Sequence, residues 1–280
     1  MTQLPTAIKN HRTTPAIISR FSKKFPSLSF YSYFIRLIFK SGIKAKQGRY
    51  DTKAWKQDSL DLLHVLENLG ICFEITGREH LEKLESPYVV IANHMSTLET
   101  VALPSILLPF TNATFIVKQS LLKYPFFGHV LRASNPIAVN RISPRLDMKT
   151  VMEEGLNRLK NNISIIVFPQ TTRTLYLDPK QFSSIGIKLA QRADVPIVPL
   201  ALLSDAWGNG KYLKDFGRID VSKKVYFEFG EPMWVQDRGK EEHQAIVQFI
   251  NRKLEAWKNT KQFKSVSKSC SISNVKCRLI

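Results

Sequence analysis

His94 and Glu99 are the two residues of this chain whose types and spacing best suit chemistry. They lie five positions apart in the segment Asn93-His-Met-Ser-Thr-Leu-Glu99, directly after the apolar run Tyr88–Ala92. An imidazole at this place can act as a general base, and a carboxylate can orient it and stabilise its charged form. Because the apolar run predicts a buried strand, a rigid sheet would hold the turn that carries both groups. The spacing alone is weak support, since many histidines that follow strands only satisfy backbone groups.

Further blocks follow this pair in a fixed order. They are Phe115–Lys118, Asn135–Arg141, Ile163–Phe168 with Pro169-Gln-Thr-Thr-Arg173, and Val195–Leu200. Their order and spacing resemble the glycerolipid (lysophospholipid) acyltransferases, the family of 1-acylglycerol-3-phosphate acyltransferase. In that family a His-x4-Asp box precedes a strand ending in arginine, a Phe-Pro-Glu-Gly-Thr-Arg block and a Val-Pro-Ile-Val-Pro strand. The resemblance covers about residues 70–235.

Two departures from the family pattern concern the proposed chemistry. Glu99 stands where the family usually has aspartate, although the related late lipid A acyltransferases commonly carry glutamate there. Gln170 and Thr171 replace the glutamate and glycine of the third block, while Arg173 is retained. Gln170 keeps the shape but loses the charge, and Thr171 restricts backbone torsions that glycine permits. We interpret the chain as a divergent member acting on an atypical acceptor, with a catalytically dead lipid-binding homologue as the alternative.

The resemblance assigns the reaction to His94 and Glu99. His94 would take the proton from the acceptor lipid's hydroxyl as that oxygen attacks an acyl thioester, and Glu99 would hold the other ring nitrogen. The sulfur leaves as a thiol, so we expect no covalent intermediate, no cofactor and no metal. Backbone amides near Thr171 and Thr172 are candidates for stabilising the oxyanion.

Three cations are candidates for binding the acceptor's phosphate. Arg173 and Lys118 match the family's phosphate-contacting positions, and Arg141 is the third; arginine suits bidentate contact with phosphate. Each of the three has an alternative interpretation as a surface or fold-stabilising cation. Ser96 and Thr97 are predicted to cap the helix that begins after His94, where their hydroxyls would satisfy free amides.

Charge distribution predicts an anionic partner. The chain has a net charge of +18, from 41 Lys and Arg against 23 Asp and Glu. Residues 1–56 contain twelve of these cations and one acidic residue, Asp51, and no acidic residue follows Glu255. Basic clusters at both ends around an aromatic segment favour an anionic membrane surface. The alternative is that these cations only form a solvated surface and bind no partner. A nucleic-acid-binding protein is a further alternative, but no helix-turn-helix or interleaved aromatic and glycine pattern is evident, and we expect no nucleic acid as partner.

The aromatic segment Phe30–Phe39 is predicted to be a membrane-docking helix. It is too short for a membrane span, which needs about 20 apolar residues. It is apolar on most sides, so it could lie at the headgroup boundary with its cations turned outward. Packing as an ordinary core helix is the alternative. The resemblance implies a second helix beside it, and Thr52–Leu69 has the spacing for one.

Alternation of strands and helices predicts an α/β fold, with one mixed sheet flanked by helices. Strands are predicted at 88–92, 113–118, 135–139, 163–168, 196–203 and 224–229, and helices at 146–161, 182–193 and 241–258. We divide the chain into an N-terminal membrane-associating helical region (1–69), a catalytic domain (70–260) and a basic disordered tail (261–280).

The sequence therefore predicts an O-acyltransferase that acylates a lysophospholipid, with 1-acylglycerol-3-phosphate as the first choice. Acyl-coenzyme A and acyl carrier protein are the two candidate donors. Alternative acceptors are a lipid A precursor, an ornithine lipid or glycerol-3-phosphate. We predict a peripheral or monotopic membrane protein on the cytoplasmic face. The three cysteines show neither a disulfide framework nor metal-ligand spacing, which favours a reducing location.

Overall fold

A computed structural model describes residues 10–13, 19–85, 87–170 and 172–273, with side chains described to residue 259. The strands are β1 His11–Arg12, β2 Cys72–Thr76, β3 Val89–Ala92, β4 Asn112–Lys118, β5 Ile137–Val139, β6 Ile163–Val167, β7 Ile197–Leu203 and β8 Lys224–Phe229. The helices are α1 Arg20–Lys24, α2 Pro26–Lys46, α3 Thr52–Asn68, α4 Glu79–Glu82, α5 Leu98–Leu107, α6 Phe127–Ala133, α7 Pro144–Lys160, α8 Ile185–Ala193 and α9 Lys240–Ser273. Short 3-10 turns lie at Gln119–Lys123 and Pro179–Gln181.

The eight strands form one mixed sheet in the order β1-β2-β8-β7-β3-β6-β4-β5. Neighbouring strands are parallel except at β1/β2 and β7/β8, which are antiparallel. Strands β3 and β7 are buried along their whole length. Their sequences are continuous apolar runs without polar alternation, as expected of parallel strands covered on both faces. The predicted α/β fold with a mixed sheet flanked by helices is confirmed.

Five of these strands end at the same edge of the sheet. Strands β7, β3, β6, β4 and β5 are successive parallel neighbours, so their carboxyl ends meet there. We call this edge the carboxyl edge. Residues that follow these strands in sequence are therefore brought together, although they lie up to about a hundred positions apart.

Helices α2 and α3 pack into the same hydrophobic core as the sheet. Phe30 and Phe34 of α2 are buried in that core. At the crossing of α2 with α6, a Cβ at Gly42 would lie 2.6 Å from the Cβ of Phe126, so only glycine allows this approach. Helix α3 packs on α5, where Ser59 Oγ donates to Val101 O at 2.6 Å. Region 1–69 is thus not structurally separate from the catalytic domain over its described part.

The last helix differs from the sequence prediction. We predicted a disordered tail from residue 261, whereas α9 continues to Ser273. No glycine or proline occurs after residue 239 to end the helix. Residues 274–280 lie outside the described part of the chain. Among the described helices, none is both long enough and apolar enough to cross a membrane.

Candidate active site

Glu99 is a fully buried carboxylate in the first turn of α5. Its Oε1 accepts hydrogen bonds from His94 Nδ1 at 2.9 Å, Met95 N at 2.6 Å and Ser96 N at 2.9 Å. Its Oε2 accepts from the hydroxyls of Ser96, at 2.9 Å, and Ser204. Burial alone would raise the pKa of Glu99, but the interaction with His94 and the hydrogen bonds from Ser204 and Ser96 outweigh it. The net pKa is lowered, so Glu99 is ionised at neutral pH.

His94 is held by Glu99 in the orientation that a general base needs. Because an ionised carboxylate only accepts hydrogen bonds, Nδ1 carries the proton, and Nε2 of the neutral ring has a free lone pair. The ring stacks on Phe168, with centroids 4.4 Å apart. The His94 side chain keeps 13% of its surface exposed, so the ring lies at the surface of the site while its partner Glu99 is closed off from water.

The two hydroxyl residues between His94 and Glu99 have different roles. Ser96 Oγ accepts from Leu98 N at 3.1 Å, as the predicted cap would. Thr97 makes no side-chain cap; its hydroxyl donates to Asp215 Oδ1 at 3.1 Å. The prediction that both cap the helix is therefore wrong for Thr97, because its backbone is already helical (φ −72°, ψ −23°) and lacks the extended torsions with which a capping side chain reaches the free amides.

Gln170, the departure from the family's glutamate, holds the backbone of His94. Its Oε1 accepts from His94 N at 2.6 Å, and its Nε2 donates to Thr174 Oγ1 at 2.6 Å. Thr174 in turn donates its hydroxyl to Tyr176 O and its backbone N–H to His94 O, at 2.6 and 3.0 Å. Gln170 and Thr174 thus satisfy both backbone groups of His94. An amide suits this position because it accepts from one neighbour and donates to the other.

Arg173 is paired with an acidic residue and not with Gln170. Its Nη2 lies 2.7 Å from Asp215 Oδ1, and the two side chains are 17% and 31% exposed. Thr172 is exposed, and Lys214 Nζ contacts its hydroxyl at 3.5 Å. Thr171, a predicted oxyanion residue, lies outside the described residues. The oxyanion role of the amides near Thr171 and Thr172 stays a prediction.

Lys118 and Arg141 lie on the carboxyl edge beside this centre. Lys118 is the exposed last residue of β4, and Arg141 is exposed and follows β5 by two residues. Neighbouring strands are about 4.8 Å apart, so these residues are displaced by roughly 10 and 14 Å from the strand that precedes His94. Arg141 also adopts a left-handed φ of 59°, which is uncommon for a non-glycine residue and occurs often at functional sites.

A small cavity adjoins the third block. Its volume is about 270 Å³, and its lining includes Gln170, Thr172, Thr174 and Gln181. A groove of about 450 Å³ elsewhere is lined by residues of α7 and α8 and includes none of the site residues. The smaller cavity therefore belongs to the site, because hydroxyl and amide groups of the third block line it.

Sequence reasoning missed two residues that the structure adds to the site. Ser204 follows β7 directly, and a polar residue at the end of a buried strand is the same signal that identified His94. Asp215 had no such signal, because it lies in a polar loop with no recognisable motif. Its contacts to Thr97 and Arg173 join residues 118 and 42 positions away.

The chain is similar to known acyltransferases. A sequence model of the acyltransferase family matches residues 72–203. The 1-acyl-sn-glycerol-3-phosphate acyltransferase of Pseudomonas aeruginosa is 30% identical over 209 residues, which cover 75% of each chain. The enzyme of that name from Saccharomyces cerevisiae is 35% identical over 143 residues, or 50% of this chain and 46% of the yeast protein. The crystal structure of PlsC, the 1-acyl-sn-glycerophosphate (LPA) acyltransferase of Thermotoga maritima, has the same fold. Its TM-score is 0.62 at 19% identity, covering 85% of this chain and 97% of that one.

Proposed function

The chain belongs to the acyltransferase family, and we propose that it transfers an acyl chain from a thioester to the free hydroxyl of a lysophospholipid. The proposed acceptor is 1-acylglycerol-3-phosphate, the substrate in the names of its relatives, and the proposed role is phospholipid biosynthesis. The donor would be acyl-coenzyme A or an acyl carrier protein. The observation that carries the proposal is the imidazole of His94, oriented through Nδ1 by a buried, ionised Glu99.

The proposed reaction uses His94 first as a base and then as an acid. Nε2 takes the proton of the acceptor hydroxyl while that oxygen forms a bond to the thioester carbonyl carbon. When the tetrahedral intermediate collapses, the carbon–sulfur bond breaks and the imidazolium returns the proton to the leaving sulfur. The products are an ester and a free thiol. Glu99 stays ionised throughout and stabilises the imidazolium, which is why its lowered pKa supports the role.

The acceptor's phosphate would bind on the side of the site that carries β6, β4 and β5. Arg173, Lys118 and Arg141 follow these three strands in that spatial order. A phosphate monoester bears about −1.5 to −2 charges at neutral pH. A row of three cations is therefore a favourable place for it, and guanidinium groups add the option of bidentate contact.

We propose that α1 and α2 attach the enzyme to a membrane surface. One side of these helices exposes large apolar residues: Phe21, Phe25, Leu28, Ile35, Phe39 and Ile43. Exposed cations flank them: Arg20, Lys23, Lys24, Arg36, Lys40, Lys44 and Lys46. We call this surface the α2 stripe. An apolar surface bordered by cations suits the headgroup boundary of an anionic membrane. The sequence-based prediction of a peripheral protein on the cytoplasmic face remains a proposal.

The test is acyl transfer by the purified protein. Each thioester donor is incubated with a panel of lysolipids and the products are identified by mass spectrometry. We expect acylation of 1-acylglycerol-3-phosphate, and an at least hundredfold lower turnover for His94→Ala, the usual scale for loss of a general base. Glu99→Gln should also lose activity, and Glu99→Asp should keep part of it.

Thermal unfolding of each variant serves as the control for folding. Near-full activity of His94→Ala would rule out the mechanism. A wild-type protein that binds lysolipid but releases no thiol from either donor would instead support the dead homologue. In that case, activity gained on Gln170→Glu and Thr171→Gly would identify the third block as the cause.

A further inference from the structure

The loop between β7 and β8, residues 204–223, contacts both motif turns of the site. We call it the bridging loop. Asn209 Nδ2 donates to Met95 O at 3.0 Å, in the turn between His94 and Glu99. Asp215 Oδ1 accepts from Thr97 Oγ1 at 3.1 Å and from Arg173 Nη2 at 2.7 Å. A single carboxylate oxygen of the bridging loop therefore ties the first motif to the arginine of the third.

Trp207 fixes the backbone of Asp215. This side chain is fully buried, and its Nε1 donates to Asp215 O at 3.1 Å. The loop backbone folds tightly on itself, because a Cβ at Gly217 would lie 1.7 Å from Gly208 O. An isolated surface ion pair contributes little, since both long side chains must be ordered for it. Here Trp207 holds the backbone carbonyl of Asp215 and Thr97 holds its carboxylate, so the carboxylate is already ordered without Arg173.

Trp207 in turn packs on the inner face of α2. Its ring lies 4.7 Å from Phe30 and 5.3 Å from Phe34 between centroids, edge to face in both cases. Tyr31 Oη donates to Gly217 O at 2.5 Å. Burial raises the pKa of Tyr31 to about 12, so the phenol stays protonated and remains a donor. Helix α2 thus contacts the bridging loop on one face and presents the α2 stripe on the other.

We propose that Asp215 is a positioning residue for the acceptor: it fixes the guanidinium of Arg173 for contact with the acceptor's phosphate. The inference rests on the function proposed above. Asp215 takes one N–H of Nη2, so the second Nη2 N–H and its neighbouring N–H on Nε or Nη1 leave one face of the guanidinium for a bidentate phosphate contact. The aromatic face of α2 supports this arrangement through Trp207, so α2 is linked to Arg173 through the bridging loop.

The competing idea is that Asp215 acts as a charge that occupies Arg173 and repels phosphate. The two ideas predict opposite effects of Asp215→Asn, which keeps the shape and removes the charge. If Asp215 positions Arg173, the Michaelis constant for the acceptor rises. If it only competes with phosphate, that constant falls.

The experiment uses the full chain and a short-chain lysophosphatidate that is monomeric in water, so membrane binding plays no part. For Asp215→Asn we expect the acceptor's Michaelis constant to rise about tenfold, as for loss of one contact to a charged group. The donor's Michaelis constant and the turnover number should change little. In the Arg173→Ala background the same substitution should have no further effect, because the residue through which Asp215 acts is gone. Tyr31→Phe should also raise the Michaelis constant for the acceptor, but by a smaller factor.

Asp237→Asn is the matched control. It removes the same charge from an exposed turn close in sequence to Met233. Met233 pairs with Ile197, the first residue of β7, and therefore lies at the edge of the sheet opposite the carboxyl edge. Its acceptor constant should equal that of the wild type. A lower Michaelis constant for the acceptor in Asp215→Asn would overturn the proposal. So would a double variant in which the effects of Asp215→Asn and Arg173→Ala multiply, because Asp215 would then act independently of Arg173 and have a merely structural role.

Direct binding of the same acceptor, measured by calorimetry, separates this proposal from the proposed function. If the wild type binds the lipid without acylating it, the proposed function fails, and the positioning role is then decided by whether Asp215→Asn weakens binding. If the wild type does not bind it, both proposals are overturned.

Discussion

Glu99 performs two tasks that depend on the same carboxylate. As a residue in the first turn of α5, it accepts from the free amides of Met95 and Ser96, in the manner of a capping box. The same oxygen accepts from His94 Nδ1. The turn that carries His94 and the helix that follows it are thereby fixed by one group. A glutamate fits here because its extra methylene allows it to reach back along the chain, so the departure from aspartate is compatible with an oriented base.

Ser204→Ala tests the hydrogen bond that helps to keep Glu99 ionised. The folded-state pKa of Glu99 lies below its ordinary 4.5, so the stability it contributes is present above that pH and is lost as the pH falls through the folded pKa. Removing the Ser204 hydroxyl moves the folded pKa back toward 4.5. We expect a loss of roughly 1.5–3 kcal/mol in the free energy of unfolding near neutral pH, shrinking as the medium is acidified below the ordinary pKa.

The free energy of unfolding is measured by urea titration at a series of pH values, and Ser164→Ala is the control. Ser164 is also fully buried, and its Oγ accepts from Tyr88 N and bonds to Thr111 Oγ1, at 3.1 and 2.9 Å. No carboxylate takes part, so its stability loss should not vary with pH. Equal pH dependence in the two variants would show that Ser204 does not act on the ionisation of Glu99.

Gln170 should affect turnover more than the choice of acceptor. Its side chain faces the backbone of His94 and not Arg173, so the carboxylate of Gln170→Glu should not compete for the guanidinium. Gln170→Leu removes the acceptor for His94 N–H and should lower turnover about tenfold, the scale for an unsatisfied buried donor. Gln170→Glu can still accept from that amide and should retain more activity. Initial rates over a panel of lysolipid headgroups are the measurement; a changed headgroup ranking with unchanged turnover would contradict this assignment.

At the residue scale, the sequence predicted side-chain types better than partners. His94 and Glu99 are close in sequence, so the chain itself limits their separation, and their spacing could indicate a contact. The partners of Arg173 and Gln170 were not predictable in this way. Asp215 reaches Arg173 across 42 positions, and Gln170 reaches His94 across 76. Such contacts depend on strand order and loop packing, which no local pattern contains.

At the element scale, helix α2 has two apolar faces, and the rest of the protein covers only one of them. Phe30 and Phe34 are buried against the bridging loop. Leu28 and Ile35 on the other face remain exposed. Because Phe30 and Phe34 belong to the core, deleting residues 1–48 would disturb the fold as well as the proposed membrane surface. Substitutions confined to the outer face are the better probe.

Leu28→Gln combined with Ile35→Gln should weaken binding to anionic vesicles at least tenfold. These side chains are 60% and 56% exposed, and full burial of such a side chain contributes roughly 1.5–3 kcal/mol, of which insertion at the headgroup boundary recovers a part. Vesicle sedimentation at fixed salt is the measurement. Glutamine is a good helix former, so the helix and the unfolding temperature should be preserved.

Trp234→Gln provides the control for this variant. Trp234 is 53% exposed but follows Met233, at the edge of the sheet opposite the site. Its replacement should leave vesicle binding unchanged. If it weakens binding as much as the α2 variant does, exposure of any large apolar residue would suffice, and the α2 stripe would have no special role.

The elements that the sequence predicted well are those whose patterns are unambiguous. Strands β3, β6 and β7 are short apolar runs between turn-forming residues, and their predicted bounds differ from the observed ones by one residue at most at either end. The two-residue strand β1 and the seven-residue helix α6 were not predicted, because segments of that length have no measurable periodicity. For α2, most sides are apolar, so the sequence could not decide which face the core would cover.

At the scale of the whole molecule, the charge of +18 acts over distances that exceed any single contact. The cations are not spread evenly: residues 1–56 contain twelve of them and one acidic residue. The exposed cations that flank the α2 stripe belong to this region. Apolar insertion and electrostatic attraction would then act at one surface, which is the arrangement that gives reversible membrane attachment.

Salt should therefore release the protein from anionic vesicles. Each basic residue near such a surface contributes on the order of 1 kcal/mol, and the attraction is screened beyond about 10 Å at 0.1 M salt. We expect affinity for anionic vesicles to fall by at least tenfold when salt is raised from about 0.05 M to about 0.5 M. Affinity for zwitterionic vesicles should be lower and should change little with salt, because only apolar insertion remains.

Competition with duplex DNA distinguishes the two anionic partners, a membrane surface and nucleic acid. If the duplex displaces the protein from anionic vesicles at low salt and binds more tightly than they do, the charge serves nucleic acid and the membrane assignment is wrong.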